Sequence, residues 1–146
     1  IDDVFTQFCS EILVATGSSI LRAIDLGCGY GRFARKAKNT PWGRNARIVS
    51  TDSDEDKVRF AAETNQIDVK VMDWSGLKFK DGEFNLATLN YPSPNVGLAL
   101  VKQGLREAFR VCKVGGGIGF LSVDDIDNGL TPDKIKAPRK TKTQLP

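Results

Sequence analysis

An α/β domain built on a parallel sheet, with helices on both faces, is the fold class this sequence predicts. Three observations lead there. Apolar runs of strand length alternate with stretches of helical period over about residues 3–123, and strands joined through helices lie parallel with right-handed crossovers. The first strand-length run, Ile20 to Leu26, passes directly into Gly27, Gly29 and Gly31, after which the spacing turns helical at Phe33, Ala34 and Ala37. The next three runs end in Asp52, Asp73 and Asn90-Tyr91. Polar residues thus gather at the carboxyl ends of strands 1 to 4, where open α/β sheets bind their ligands.

Val4, Phe8 and Ile12 recur every four residues, as do Phe5, Cys9 and Leu13, which predicts an amphipathic helix over 3–16 ended by Gly17. The first strand then covers about 21–26. In the turn after it, glycines permit positive φ and let a ligand approach bare main chain beside the unpaired N–H groups of a helix start. That helix spans about 31–38 and is closed by Asn39, Pro41 and Gly43. The β-branched run Arg47–Thr51 is a second strand, and Ser53 or Asp54 caps the following helix, which carries Val58, Phe60, Ala61 and Ala62.

Ile67, Val69 and Val71 alternate with polar residues as a third strand. A polar connection containing Gly76 and Asp81-Gly82 leads to a fourth, Phe84–Leu89, and the two prolines of Asn90-Tyr91-Pro92-Ser93-Pro94 forbid regular structure beyond it. Leu98, Val101, Leu105, Ala108, Phe109 and Cys112 mark a helix ended by Lys113 and Gly115–Gly117, with Ile118–Val123 as a fifth strand. After that the chain is short, polar and proline-containing. Strand 5 is therefore expected at an exposed edge, open to a protein partner or to self-association, unless missing chain or the tail covers it.

The 146 residues suit one domain that buries roughly two-thirds of its unfolded surface. We expect a ligand-binding domain over 1–130 and a basic, flexible tail over 131–146. The net charge of +3 is concentrated there: residues 131–146 carry +4, leaving −1 for the rest. A broad nucleic-acid-binding face on the body is therefore disfavoured, and phosphate affinity would fall to the tail alone. No apolar run approaches the roughly 20 residues of a membrane span, so no membrane partner is expected. The chain begins Ile1-Asp2-Asp3, without an initiator Met or a basic-then-apolar leader, which is expected of a piece of a cytoplasmic protein. Cys9, Cys28 and Cys112 are odd in number and widely spaced, with no histidine to complete a metal site. Proton transfer must then fall to carboxylate, Tyr, Lys, Cys or water.

The glycine turn reads D-x-G-x-G-x-G from Asp25 to Gly31. A dinucleotide-binding G-x-G-x-x-G would need glycine at 32, and residue 32 is Arg. With Val49-Ser50-Thr51-Asp52, with Val71-Met72-Asp73-Trp74 followed by Leu77, Phe79 and Phe84-Asn85, and with the segment Leu105 to Gly116, it resembles the class I S-adenosylmethionine-dependent methyltransferases. Four segments in the right order cover about residues 20–123. Cys112 and Val114 stand where that family commonly has Leu and Pro.

The resemblance implies a doubly wound, Rossmann-like sheet in the order 3-2-1-4-5, with the family's antiparallel strands 6 and 7 missing. It implies S-adenosylmethionine as cofactor and a methyl acceptor of unidentified class. Gly27, Cys28, Gly29, Tyr30 and Gly31 would pass close to the cofactor's methionine part, with Asp25 organising the turn or reaching the amino group through water. Asp52 and the adjoining Ser53 would lie at the ribose, where a bidentate carboxylate suits two hydroxyls. Asp73 would accept from the adenine amino group while the Trp74 N–H meets the ring. Asn90 would face the methionine moiety and acceptor, and Asn90 and Tyr91 are the weak catalytic candidates. A catalytically silent cofactor-binding or scaffold subunit is the alternative. An aminopropyl transferase lacks support, because Asn90-Tyr91-Pro92 supplies no acids.

Plainer roles stand beside these. Asp52 can cap the helix after it, Asp73 can be a turn carboxylate, Trp74 can be core packing, and Cys28 is best read as a small turn residue. Asn90 to Pro94 holds the residue types of the N-P-P-Y found in amino-methylating relatives, in another order, which favours another acceptor class. Asp124-Asp125 reads as a solvated loop.

Overall fold

The computed structural model describes residues 3–90, 97–121 and 135–136. In chain order the elements are α1 (Asp3–Thr16), β1 (Arg22–Leu26), α2 (Arg32–Ala37), α3 (Pro41–Arg44), β2 (Arg47–Asp52), α4 (Glu55–Thr64), β3 (Val69–Val71), β4 (Phe84–Asn90), α5 (Leu98–Val111), β5 (Cys112–Leu121) and β6 (Ile135–Lys136). They form one sheet in the order β3-β2-β1-β4-β5-β6. The first five strands are parallel, as expected, and β6 is antiparallel to β5.

Strand β1 lies at the centre and is almost wholly buried. Its residues alternate between two cores because successive side chains point to opposite faces. Ala23, level with Ile48 and Leu86, meets Phe5, Cys9 and Ile12 of α1 and Phe33 of α2. Ile24, level with Val49 and Ala87, meets Ala108, Phe109 and Val111 of α5. The four-residue spacing of Phe5 and Cys9 is thus the stripe that α1 buries. Gly17, at φ +65°, closes that helix, with the Ser18 N–H donating to the Leu13 carbonyl at 3.0 Å. Just beyond, the buried Asn85 accepts from the Arg22 N–H at 2.8 Å and donates to Thr16 and Ser18 hydroxyls at 3.0 and 2.9 Å. One side chain so ties the end of α1 to the start of β1.

Three expectations are corrected. Pro41 opens a short helix rather than merely ending the previous one: its fixed φ suits the first helical position, and the Thr40 hydroxyl caps it by accepting from the Gly43 N–H at 3.0 Å. The glycines 115–117 lie inside β5, which starts at Cys112 rather than near Ile118. Between the pairs Phe84–Cys112 and Leu86–Gly117 the register slips, so β5 bulges. Glycine is needed there for space: a Cβ on Gly116 would overlap the Asn85 carbonyl, and one on Gly117 would stand 2.7 Å from Ile12 Cδ1. Finally, β5 is not the last strand, since Ile118 pairs with Lys136 and Gly119 with Ile135. Two residues are too short a run for alternation to reveal, and this piece of the tail covers the β5 edge along 118–119, one of the covers the sequence left open. Among the described residues, no helix is long and apolar enough to cross a membrane.

Candidate functional site

At the carboxyl end of β1 the chain turns through Gly27, Gly29 and Gly31, whose φ values are +68°, +56° and +83°. Glycine meets this left-handed requirement without steric cost. The Cys28 N–H donates to the Thr51 carbonyl at 2.9 Å, so the turn stays attached to β2. Gly31 is constrained twice, because a Cβ there would also overlap Ile67 Cδ1 below it. A Cβ at Gly29 would meet nothing within 4 Å among the described residues.

Asp25 is fully buried beneath the turn, where Oδ1 accepts from the Thr88 hydroxyl at 2.8 Å. This joins the two central strands, β1 and β4, under the site. Burial, together with the Asp25 and Asp52 charges, pushes the Cys28 thiol well above its ordinary pKa. Cys28 is therefore a neutral turn residue, as its plainer reading has it.

Asp52 ends β2 half-buried beside the turn. Its Oδ2 accepts from the Gly29 N–H at 2.8 Å and its Oδ1 from the Asp54 N–H at 2.9 Å. The capping alternative for Asp52 is corrected: Asp54 caps α4, accepting from the N–H groups of Asp56 and Lys57 at 2.9 and 3.3 Å. Ser53, the other capping candidate, is exposed between the two acids and leaves the cap to Asp54.

Past β3, Met72 donates to the Asp52 carbonyl at 3.0 Å, which brings the third strand end beside the second. Exposed Asp73 accepts from the Ser75 N–H at 2.7 Å, and this bond holds its carboxyl below the ordinary carboxylate range. The turn role is thus present. The Trp74 indole sits between two glycines: a Cβ on Gly27 would lie 3.0 Å from its Cζ2, and one on Gly104 of α5 only 2.6 Å from its Cε3. It also packs against the core formed with α5.

Tyr30 is 56% exposed and turns toward α4, meeting Phe60 edge-on at 5.2 Å, with Lys57 Nζ 5.8 Å from its ring centre. Asn90 closes β4, level with Leu121. Tyr91, Pro92, Ser93, Pro94 and Asp124-Asp125 lie outside the described residues. No group of three or more potential metal ligands occurs among the described residues.

Sequence reasoning missed the clamp behind this site. Arg110 of α5 donates through Nη1 to the Phe79 carbonyl and Asp81 Oδ1, both at 2.8 Å, and through Nη2 to the Leu77 carbonyl at 2.9 Å. Its Nε and Nη2 also hold Glu107 at 2.8 and 3.0 Å, and Glu107 accepts from the Leu77 N–H at 2.8 Å. The connection following Trp74 is fastened to α5 in this way. A Glu–x–x–Arg spacing on one helix face was the available signal. Gly104 was missed as well, although an interior helical glycine, about 1 kcal/mol less favourable than alanine, is itself a signal of a close neighbour.

A family model described as a methyltransferase domain matches residues 23–116. No curated protein matches the chain. Solved structures supply the fold comparison. The PH0226 protein from Pyrococcus horikoshii OT3 is 22% identical at a TM-score of 0.62, over 82% of this chain and 57% of that one. The geranyl diphosphate C-methyltransferase of Streptomyces coelicolor A3(2), solved with Mg2+, geranyl diphosphate and S-adenosyl-L-homocysteine, is 16% identical at 0.60, over 81% and 46%. The [4+2]-cyclase SpnF is 23% identical at 0.60, over 78% and 43%. The chain thus spans from 43% to 57% of the length of these structures.

Proposed function

The chain belongs to the methyltransferase-domain family, and from that premise we propose that it binds S-adenosylmethionine at the glycine turn and transfers the methyl group to an acceptor. One observation carries the proposal: the acid ending β2 is hydrogen-bonded to the glycine turn through the Gly29 N–H. The donor set suits this cofactor. Each Asp52 oxygen accepts one backbone bond and keeps acceptor capacity, so the carboxylate can still receive ribose hydroxyls. Acceptor-only acids at the ends of β2 and of the β3 segment favour hydroxyl and amino groups over a pyrophosphate.

In this reading Gly27, Cys28, Gly29 and Gly31 line the methionine end, Asp52 and Ser53 the ribose, and Asp73 with Trp74 the adenine. Buried Asp25 ties β1 to β4 through Thr88 directly beneath the turn. Bound S-adenosylmethionine supplies a methyl group already activated on a sulfonium. The chain's task is then alignment, which through effective molarities of about 10⁵–10⁸ M can provide most of the barrier lowering. Asn90, which closes β4, is the candidate for the acceptor side, with Tyr91 the candidate to take a proton where the acceptor must lose one. The three cysteines are buried and form no disulfide among the described residues, which supports a reducing, cytoplasmic setting.

A second reading is a domain that binds the cofactor without methylating. It is favoured by the kinship in fold with a structure described as a cyclase. A thermal-shift titration tests the cofactor, with S-adenosylhomocysteine expected to raise Tm and NAD to leave it unchanged; no shift with the former refutes the assignment. Turnover of labelled S-adenosylmethionine against acceptor pools then separates transferase from silent binder.

A further inference from the structure

We propose that Gly104 is a positioning residue for the cofactor, acting through Trp74; the inference rests on the cofactor reading above. Trp74 follows Asp73 directly, and its indole fills the gap between the glycine turn and α5. On one side Gly27 leaves it room, on the other Gly104. Gly27 needs glycine for its φ of +68° as well, whereas Gly104 is not among the positive-φ glycines. The helix backbone therefore does not demand glycine at 104, and alanine would be the better helix former. What excludes alanine is the ring, since a Cβ would stand 2.6 Å from Cε3 and 2.9 Å from Cδ2. These are ring atoms next to the side chain's root, so no flexible end can swing aside.

The seat at Gly104 consequently fixes how far the indole projects toward Gly27. That in turn sets the spacing between the Asp73 segment and the turn, the two walls assigned to the ends of one ligand. Filling the seat would drive the indole against Gly27 and narrow the groove. Arg110, two turns further along α5, holds Leu77 and Phe79, so the segment after Trp74 is pinned and the displacement cannot dissipate there.

The test is a double-mutant cycle on the folded chain, titrated with S-adenosylhomocysteine by calorimetry. Its second readout is Trp74 emission in a Trp42→Phe background, where Trp74 is the sole tryptophan. That background keeps an aromatic ring against Phe5 and Phe33 and breaks no hydrogen bond of Trp42 Nε1 among the described residues. Gly104→Ala is expected to weaken binding about tenfold and to shift Trp74 emission, while the loss falls below about twofold when Trp74→Leu is present. The inference is overturned if Gly104→Ala binds as the wild type does, or if the loss is the same with and without the ring. Should Gly104→Ala fail to fold, the double variant decides: folding with affinity within about twofold of Trp74→Leu supports the seat, and a double variant that also fails to fold overturns it. No binding by the wild type overturns the cofactor reading and this inference together, whereas intact wild-type binding isolates the failure to Gly104.

Discussion

The backbone N–H of Gly29 donates to Asp52 Oδ2 at 2.8 Å, so the turn after β1 and the acid ending β2 form a single hydrogen-bonded unit. The other oxygen holds the Asp54 N–H, and the same carboxylate therefore shapes the start of α4. Its expected ligand role and its structural role are inseparable, and substitution should report on both.

Asp52→Ala should lower S-adenosylhomocysteine affinity by roughly 10- to 100-fold and stability by about 1–2 kcal/mol, since two backbone donors lose a charged acceptor. Asp52→Asn, which keeps one accepting oxygen, should fall between. Calorimetric titration with urea unfolding checks both numbers, and unchanged affinity in Asp52→Ala would refute the ribose role.

Two glycines of one turn should differ in tolerance. Gly29→Ala meets only the left-handed backbone cost, about 1–2 kcal/mol. Gly31→Ala adds an overlap with Ile67 Cδ1, the movable end of that side chain, for a total of roughly 2–3 kcal/mol. Comparing urea midpoints decides this, and equal losses would show that the Ile67 contact is immaterial.

The Glu107–Arg110 pair predicts an acid dependence. Hydrogen bonding from Arg110, ahead of the Leu77 N–H, holds the Glu107 carboxyl below its ordinary range. A carboxyl with a depressed folded pKa contributes its stability in full above the unfolded value of about 4.3, and loses it as pH falls through the folded value. Glu107→Gln should therefore flatten the decline of Tm between about pH 5 and 3. Arg110→Lys should not substitute for arginine, because the forked contacts to Leu77, Phe79 and Glu107 need a planar guanidinium. Asp81 is 72% exposed, so Asp81→Ala should cost within about 0–1 kcal/mol.

The cysteines should be inert in the native state. Burial pushes the Cys9 thiol up to about 12, Cys28 is raised further by neighbouring carboxylates, and Cys112 is buried. At pH 8 the thiolate fraction of Cys9 is then on the order of 10⁻⁴. A water-soluble disulfide reagent should modify all three thiols promptly in denaturant and hardly at all without it. Fast native labelling of Cys28 would contradict its placement.

Periodicity and strand-end residues made the five parallel strands and their helices legible, since α1 and β1 bury the very stripes that their spacing marks. Shorter features escaped for physical reasons. The four residues of α3 and the two of β6 hold no full period, and the β5 glycines read as a stop because their real cause, the approach of Asn85 and Ile12, lies far off in sequence. At the site, residue types were legible and partners were not. Asp52 could be singled out, but its bond to Gly29 spans 23 positions. Likewise, whether Trp74 packs or lines a wall depends on Gly104, 30 residues away.

The bond from Thr88 to Asp25 joins residues 63 apart, and it crosses the middle of the sheet rather than its rim. Strand β1 can meet β2 after a short excursion, yet its other flank stays empty until β4 has been made. Such long loops must close before the contacts that reward closure exist, which slows folding. During synthesis, the half bearing Asp52 can take shape while Asp25 still faces water. The floor of the glycine turn consequently dries only once β4 has docked, and competence to hold a ligand should not appear before that strand is in place.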